Sequence, residues 1–473
     1  MGDTESMATT FQTPEYQADG RFKTVQYTFE GSEDAGWRII RQASAHQSPQ
    51  VVVNVGAGYR LLATRYCGVC ATDLARRHLP FSLPQITGHE ISAVDKQPVT
   101  VEINASHAAR GEQTDCPYCK YDLHRHCPDR LTIGIDRLPG GFAPWLLAPR
   151  HGIIPLPSSV SAIAGCFVEP YAAAMRALQL SPPDRYQQIA VLGPRRLGML
   201  ILSALNAYRE QHNLDYELVA IVRHNALRPH CLTLGADRVD MLDACKADSF
   251  DLVFDTTGSP QGLAHAIRLS RHEVHLKSTH GKPVFGFNSM SQMVVDEISL
   301  AGLQSDWSLP ESLPRRAMVA ADTTSINAVH RCLPDADCMD PDDALPQTWP
   351  LAINAFDAVV INELPALDNW IAADKTSPKQ LRPAGLVLLN SKHGSSGDPL
   401  SLALHQKPLM LRTSRCGDFR QTLALWQQFP RIPALLEDQW LSHILSLDTI
   451  EQAFSLAADS QRSRKIVVNT LSA

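Results

Sequence analysis

The chain has no basic run, and its 43 Lys and Arg are outnumbered by 49 Asp and Glu, which leaves a formal net charge of -6 and a pI near 6.3. A surface of that sign gives nucleic acid or an anionic membrane no electrostatic foothold, so neither is expected as a partner. No apolar stretch approaches the roughly 20 residues that span a bilayer, and no apolar region near the N-terminus has the make-up of a signal peptide. Met1-Gly2-Asp3-Thr4-Glu5-Ser6 fits the myristoylation pattern formally, but acidic residues follow the glycine and no basic patch supplies the second signal that stable anchoring needs. A disulfide framework is disfavoured as well. The 11 cysteines are odd in number and partly clustered, which points to metal or free thiols in a reducing compartment and makes the cytoplasm the expected location. What is there, 44% hydrophobic and 19% charged residues over 473 positions, suits a soluble globular chain of two or three domains.

The chemistry concentrates in Tyr66-Cys67-Gly68-Val69-Cys70-Ala71-Thr72-Asp73 and Ile86-Thr87-Gly88-His89-Glu90. A thiolate, an imidazole and a carboxylate close together, with a hydroxyl two residues past one thiol, are the parts of a catalytic zinc site. A Cys-x-x-Cys pair alone says little, since such pairs are also redox-active, structural or idle. Singly, Cys67 and Cys70 read as small buried hydrophobes and His89 as a core histidine. The order of later features gives the pair its meaning. "CGVCATD", "PQITGHE", a cysteine cluster, "GGFAPWL" and "FVEP" follow one another so that the chain resembles the zinc-containing medium-chain alcohol and polyol dehydrogenases from about Val51 to Gly302, and again from near Thr413.

That resemblance implies an α/β protein with a GroES-like β-barrel catalytic domain and a Rossmann-type dinucleotide-binding domain. It implies catalytic zinc, hydride transfer between NAD(P) and a small secondary alcohol, polyol or corresponding carbonyl, and assembly as a homodimer or homotetramer. It selects Cys70, not Cys67, as first ligand, His89 as second and Glu169 of the Glu-Pro pair as third, with Cys166 as the runner-up. Thr72 falls where the family places its proton-relay hydroxyl. Asp73 would fix the His89 tautomer from outside the coordination shell, and Glu90 would approach the metal or act from just beyond it. Cys116, Cys119 and Cys127 resemble the lobe that holds a second, structural zinc, but Gln113 stands where the fourth cysteine is expected. Either Asp115, Glu112 or a histidine such as His107 completes the set, or the site is lost and three thiols surround an empty lobe.

"IAVLG", "PRR" and "LGMLILSALNAY" read as the strand, turn and helix that open a dinucleotide-binding unit. Gly193 and Gly198 occupy the first and third positions of G-x-G-x-x-G, whereas Arg195 replaces the second glycine, where it either crowds the cofactor or offers a charge to phosphate. The next strand ends at Arg223-His224 with no carboxylate for ribose hydroxyls, which favours the 2'-phosphate of NADP over NAD. Thr257, Gly258 and Ser278 follow later strands as further cofactor neighbours. "VVDEISLAG" reads as the last strand of this domain.

The expected organisation is a leader over 1–20, the catalytic domain over 21–185, the nucleotide-binding domain over 186–304, an inserted α/β segment over 305–416, and a C-terminal return to the catalytic domain over 417–473. The insert's "MVAADTTSINAVHRCLPDADCMD" aligns without a gap on "LVAIVRHNALRPHCLTLGADRVD", and "FDAVVI" echoes "FDLVFD". The insert therefore reads as a half-Rossmann repeat. Lacking a Gly-rich loop, it is expected to extend the sheet or cover a surface without binding a second dinucleotide. A fold-retaining binding or scaffold subunit is the competing reading, resting on Arg195, the incomplete lobe and the insert.

Overall fold

The computed structural model describes residues 7–42, 50–79, 81–120, 122–277, 285–286, 288–302, 316–318, 327, 330, 337–339, 356–371, 381–390, 398–459 and 463–471. Two compact units emerge, one of residues 1–172 with 418–473 and one of 173–417. The first boundary thus falls inside a helix, α4 (Val168–Leu180), upstream of the expected 185.

The first unit opens on β1 (Met7–Tyr16), β2 (Phe22–Ser32), β3 (Gly36–Gln42) and β4 (Val51–Val55), an antiparallel meander in that order. Half of the expected loose leader, Met7–Tyr16, is therefore a strand. "MATTFQTPEY" alternates, and Phe11, Thr13 and Glu15 face inward; Phe11 packs edge-on against Phe29 at 5.1 Å, and buried Glu15 is held by Arg41 at 2.6 and 2.7 Å. The segments from Lys23 to Val55, expected in the barrel, build this separate sheet instead.

The barrel sheet contains β5 (Tyr59–Gly68), β6 (Glu90–Asp95), β7 (Gln97–Val101), β11 (Trp145–Pro149), β12 (Ile153–Pro155), β24 (Leu441–Ser446) and β25 (Lys465–Asn469). Its order is β12-β7-β6-β5-β25-β24, with β11 also on β5. The C-terminal return thus pairs with β5 through β25 and extends the barrel sheet by two strands. A three-stranded patch, β8 (Asn104–Ala105), β9 (Leu131–Ile133) and β10 (Arg137–Leu138), flanks the cysteine lobe.

The second unit is one sheet of eleven strands: β13 (Gln188–Leu192), β14 (Glu217–Val222), β15 (Arg238–Met241), β16 (Phe250–Asp255), β17 (Ser270–Leu276), β18 (Ser299–Gly302), β19 (Arg316–Met318), β20 (Asp337–Met339), β21 (Phe356–Ile361), β22 (Leu381–Leu389) and β23 (Met410–Thr413). The order is β15-β14-β13-β16-β17-β23-β18-β22-β21-β19-β20. The first five form the parallel 3-2-1-4-5 arrangement of dinucleotide-binding sheets. The sixth place belongs to β23, not to the expected β18, which runs antiparallel to β23 and parallel to β22. Chemistry favours this choice: Glu273 and His275 of β17 are fully buried, and β23 brings Arg412 to the first and leads into Ser414 for the second. The sequence "SLAG" of β18 has no such partners.

Candidate metal and cofactor sites

Strand β5 ends at Gly68, and the chain turns through Val69 into a short helix, α1 (Ala71–Ala75), whose N-cap is Cys70. Asp73, buried in that helix, accepts the backbone N–H of Cys70 at 2.9 Å and of Gly88 at 3.1 Å. One carboxylate so ties the Cys70 turn to the turn before His89. Gly88 has φ of +95°, and a Cβ there would lie 2.7 Å from Cys67 Sγ; only glycine allows this approach.

Cys70 and His89 are hydrogen-bonded neighbours. Burial alone would raise the Cys70 thiol, but the adjacent imidazole outweighs it and lowers its pKa. Burial would likewise depress His89, but the Asp73 carboxylate and the Cys70 sulfur hold it well above the ordinary range. Thr72 Oγ1 accepts from Cys70 Sγ at 3.8 Å and is half-exposed. His89 Nδ1 faces Asp73 Oδ1 at 3.5 Å, and the same carboxylate holds the Cys70 and Gly88 backbone N–H groups. Glu169, in the first turn of α4, is buried and close enough to act on the Cys70 thiol. It does not join Cys70 and His89 in a compact donor group. Cys166 is fully buried, and burial raises its thiol above the physiological range, which suits a core residue.

Glu90 is 2% exposed and forms a close ion pair with Lys465, the first residue of β25. Lys465 also lies 5.9 Å from the Phe167 ring, and burial pulls its ammonium down to about 8. Sequence reasoning missed this partner; its signal was a charge opening the apolar run "KIVVN".

In the cysteine lobe, helix α2 (His107–Arg110) is capped by Ser106 Oγ on Ala109 N at 3.2 Å, and α3 (Pro117–Lys120) carries Cys119. His107, Cys116, Cys119 and Cys127 place one donor atom each within 4.8 Å of all the others. Cys116 and Cys127 sulfurs are 3.9 Å apart, and His107 Nδ1 is 3.2 Å from Cys127 Sγ and 3.6 Å from Cys119 Sγ. Zinc–sulfur bonds of about 2.3 Å in a tetrahedron separate thiolates by about 3.8 Å. The four donors fit zinc. His107 Nε2 faces Asp129 at 3.7 Å, whereas exposed Asp115 pairs with Lys120 and Glu112 with Arg110.

In the second unit Gly193 follows β13 with φ of +70° and a Cβ position 2.7 Å from Thr257. Gly198, in helix α5 (Arg196–His212), sits where a Cβ would lie 2.6 Å from Thr256 Oγ1. The third glycine therefore lets helix and strand pack closely. Arg195 is the N-cap of α5 and is exposed. Arg223 and His224 are exposed directly after β14, and Thr257 and Gly258 follow β16. These seven residues share the carboxyl end of the sheet around β13, where the strand order reverses and such sheets bind ligands. Ser278 lies outside the described residues.

Comparison with known proteins agrees with this anatomy. Residues 56–158 match the alcohol dehydrogenase GroES-like domain. A sorbitol dehydrogenase of Halalkalibacterium halodurans is 23% identical over 287 residues, covering 55% of this chain and 82% of the relative. The L-idonate 5-dehydrogenase of Escherichia coli superposes with a TM-score of 0.52 at 13% identity, covering 98% of this chain and all of that one. A zinc-binding dehydrogenase of Sinorhizobium meliloti, solved with NADP bound, gives 0.50 at 17% identity over 89% of this chain and 96% of that one. Barrel, dinucleotide-type sheet and cysteine-histidine sites together define a dehydrogenase architecture. Residues 56–158 thus carry an alcohol dehydrogenase GroES-like domain, and the chain shares the fold of these dehydrogenases.

Proposed function

We propose that the protein is a zinc-dependent oxidoreductase that transfers a hydride between NADP(H) and a small secondary alcohol, polyol or corresponding carbonyl. The observation that carries this reading is the Cys70–His89 contact with a solvent-reaching hydroxyl, Thr72, 3.8 Å from the sulfur. Cys70 and His89 would hold the catalytic zinc, with Glu169 the nearby carboxylate able to complete the set. Zinc supplies Lewis acidity to the substrate oxygen and the nicotinamide accepts or returns the hydride when both are bound. Thr72 passes the alcohol proton towards solvent, Asp73 keeps the two ligand turns together, and Lys465 balances Glu90 beneath them. Exposed Arg195 meets the pyrophosphate, and Arg223 with His224 favours the 2'-phosphate, because guanidinium matches phosphate geometry. His107, Cys116, Cys119 and Cys127 would hold a second, structural zinc.

The decisive experiment counts zinc and titrates NADPH and NADH against the purified protein, then assays an alcohol panel. Cys70→Ala should remove one zinc and abolish turnover while NADPH still binds; full metal content with a normal rate would sink the assignment.

We also read residues 305–416 as a diverged partial copy of the nucleotide-binding half. Supporting this, β20-β19-β21-β22 mirrors β15-β14-β13-β16-β17 with the β13 position missing, so that β19 pairs directly with β21. Among the described residues, the place in the copy without a strand is the one that would precede a phosphate loop.

A further inference from the structure

Past the paired residues Gly68 and Glu90, the β5–β6 ladder no longer holds the two stretches of chain that carry Cys70 and His89. Their relative placement falls to side chains. Asp73 supplies one tie, to the Gly88 backbone at 3.1 Å. Arg76 supplies another. It is the C-cap of α1 and opens a 3-10 turn (Arg76–His78). Standing three residues after Asp73, it leaves the helix on the same face.

Arg76 is 1% exposed and among the largest fully buried side chains. Among the described residues no carboxylate pairs with it, and Asp136 and Asp73 act on it from a distance. Its donors go to neutral acceptors instead. Nη1 donates to the Phe81 carbonyl at 3.1 Å, and Nη2 to the Ser82 carbonyl at 2.9 Å, the Ile135 carbonyl at 2.8 Å and Gln85 Oε1 at 2.5 Å. The Phe81 ring centre lies 5.5 Å from the guanidinium carbon. A guanidinium out of water without a paired counter-charge is costly, so a position that needed only to be filled would suit an apolar side chain better. Directed bonds from one planar group do what packing does not: they fix both distance and direction between the helix and residues 81–85.

Residues 81–85 are part of an anchored frame. Gln85 Nε2 donates to the Leu138 carbonyl at 3.0 Å, and the Gln85 backbone exchanges hydrogen bonds with Tyr16 of β1 at 2.9 and 3.1 Å. The carbonyls of Ile86, Thr87 and Gly88 then accept from Gly140, Phe142 and Gly141 at 2.8, 3.1 and 2.8 Å. His89 follows directly. One tie leaves the five-residue helix free to swing about Asp73, and a second, three residues along, stops the swing.

We propose that Arg76 is a positioning residue for the Cys70–His89 centre: it clamps the far end of α1 to the frame that carries His89, and so fixes the directions of the Cys70 sulfur and the Thr72 hydroxyl. Its consequence for turnover rests on the dehydrogenase reading. The clamp itself does not.

The test uses the full-length protein with Arg76→Met, which fills the volume without donors, and Arg76→Lys, which keeps the charge and reaches fewer acceptors. Hydrogen exchange is followed by peptide mass in zinc-free and zinc-loaded samples. Arg76→Met should lose protection in peptides covering 70–79 and 81–89, with Arg76→Lys between it and the wild type, while the β1–β4 meander and the second unit exchange as before. Unchanged exchange in those two peptides overturns the clamp. A loss spread evenly over the first unit also overturns it, since Arg76 would then be a general core residue. Zinc is next measured by competition with a chromophoric chelator. The equivalent that Cys70→Ala lacks should bind about tenfold or more weakly in Arg76→Met, and kcat should fall by a similar factor with KM little changed. Wild-type zinc affinity and kcat in Arg76→Met would overturn the positioning role. A wild-type protein with neither a Cys70-dependent zinc nor turnover would sink the dehydrogenase reading instead, and the exchange pattern would still decide the clamp. Should Arg76→Met fail to fold, Gln85→Leu, which removes one acceptor of Arg76 together with the bond to Leu138, is held to the same outcomes.

Discussion

Around the candidate catalytic centre each side chain has one physical task, and Lys465 shows how strictly. Glu90 and Lys465 are both almost fully buried, and a buried ion pair is costly to break because the survivor is left charged in a poor solvent. Gly68 packs directly against both groups, leaving no room for a Cβ. Lys465→Met should lower unfolding free energy by about 3–5 kcal/mol, measured by urea denaturation, and Glu90→Gln in the same chain should restore much of it. A destabilisation that Glu90→Gln fails to relieve would show that Lys465 acts through packing alone. Glu102 gives a second residue-level test. Burial raises its pKa from 4.5 to about 7, so the folded state holds its proton more tightly than the unfolded chain. Its contribution to stability is full below pH 4.5 and declines as pH rises through 7. Glu102→Gln should flatten that decline in a Tm-versus-pH series; an identical slope in the variant would refute the assignment. At this scale Cys70, Thr72 and Asp73 stood out in the sequence because they lie within four positions of one another, and His89 because it follows the Thr87-Gly88 turn. Lys465 was not, because it meets Glu90 across 375 residues.

The cysteine lobe shows an element compensating for a lost residue. Three thiols and no fourth left the site open among neighbours, and spacing could not choose between Asp115, Glu112 and His107. The three-dimensional choice follows from where α2 points: its first residue, His107, lies over Cys119 and Cys127, while Asp115 and Glu112 are spent on exposed ion pairs. His107→Ala should reduce bound zinc from two equivalents to one, and a cobalt-substituted sample should lose its sulfur-to-metal charge-transfer band in part or whole. Two equivalents retained in the variant would rule His107 out. The Gly193 turn was the most readable element, since strand, turn and helix are contiguous and Gly198 is required by Thr256. Strand β1 was the least readable, because "TTFQTPEY" alternates mainly with Thr, Gln and Glu, whose inward members declare themselves only through partners such as Arg41.

Across the whole second unit, the sheet order contains a relation that sequence could not show. β17 is followed in the sheet by β23, and β22 by β18; if β18 and β23 are corresponding strands of the two copies, each half is completed by the other half's sixth strand. Both are four residues long, and Ser299–Gly302 would overlay Met410–Thr413 with Ala301 in the place of Arg412. The pairing of β17 with β23 spans 137 residues, beyond the reach of local pattern, whereas the strands "FDAVVI" and "FDLVFD" were visible as buried apolar runs. The exchange can be tested by deleting residues 303–413, joining Gly302 to Ser414. In that chain β18 should move beside β17, giving the six parallel strands of an ordinary dinucleotide-binding sheet through a right-handed crossover. Ala301 would leave Glu273 without its guanidinium, a loss in the range of a broken buried pair, so the deletion should be combined with Ala301→Arg. A soluble product that unfolds cooperatively and still binds NADPH supports equivalence of the two strands. A product that folds only when residues 303–413 are restored would mean that β18 cannot replace β23, and that the second half is an independent extension of the sheet.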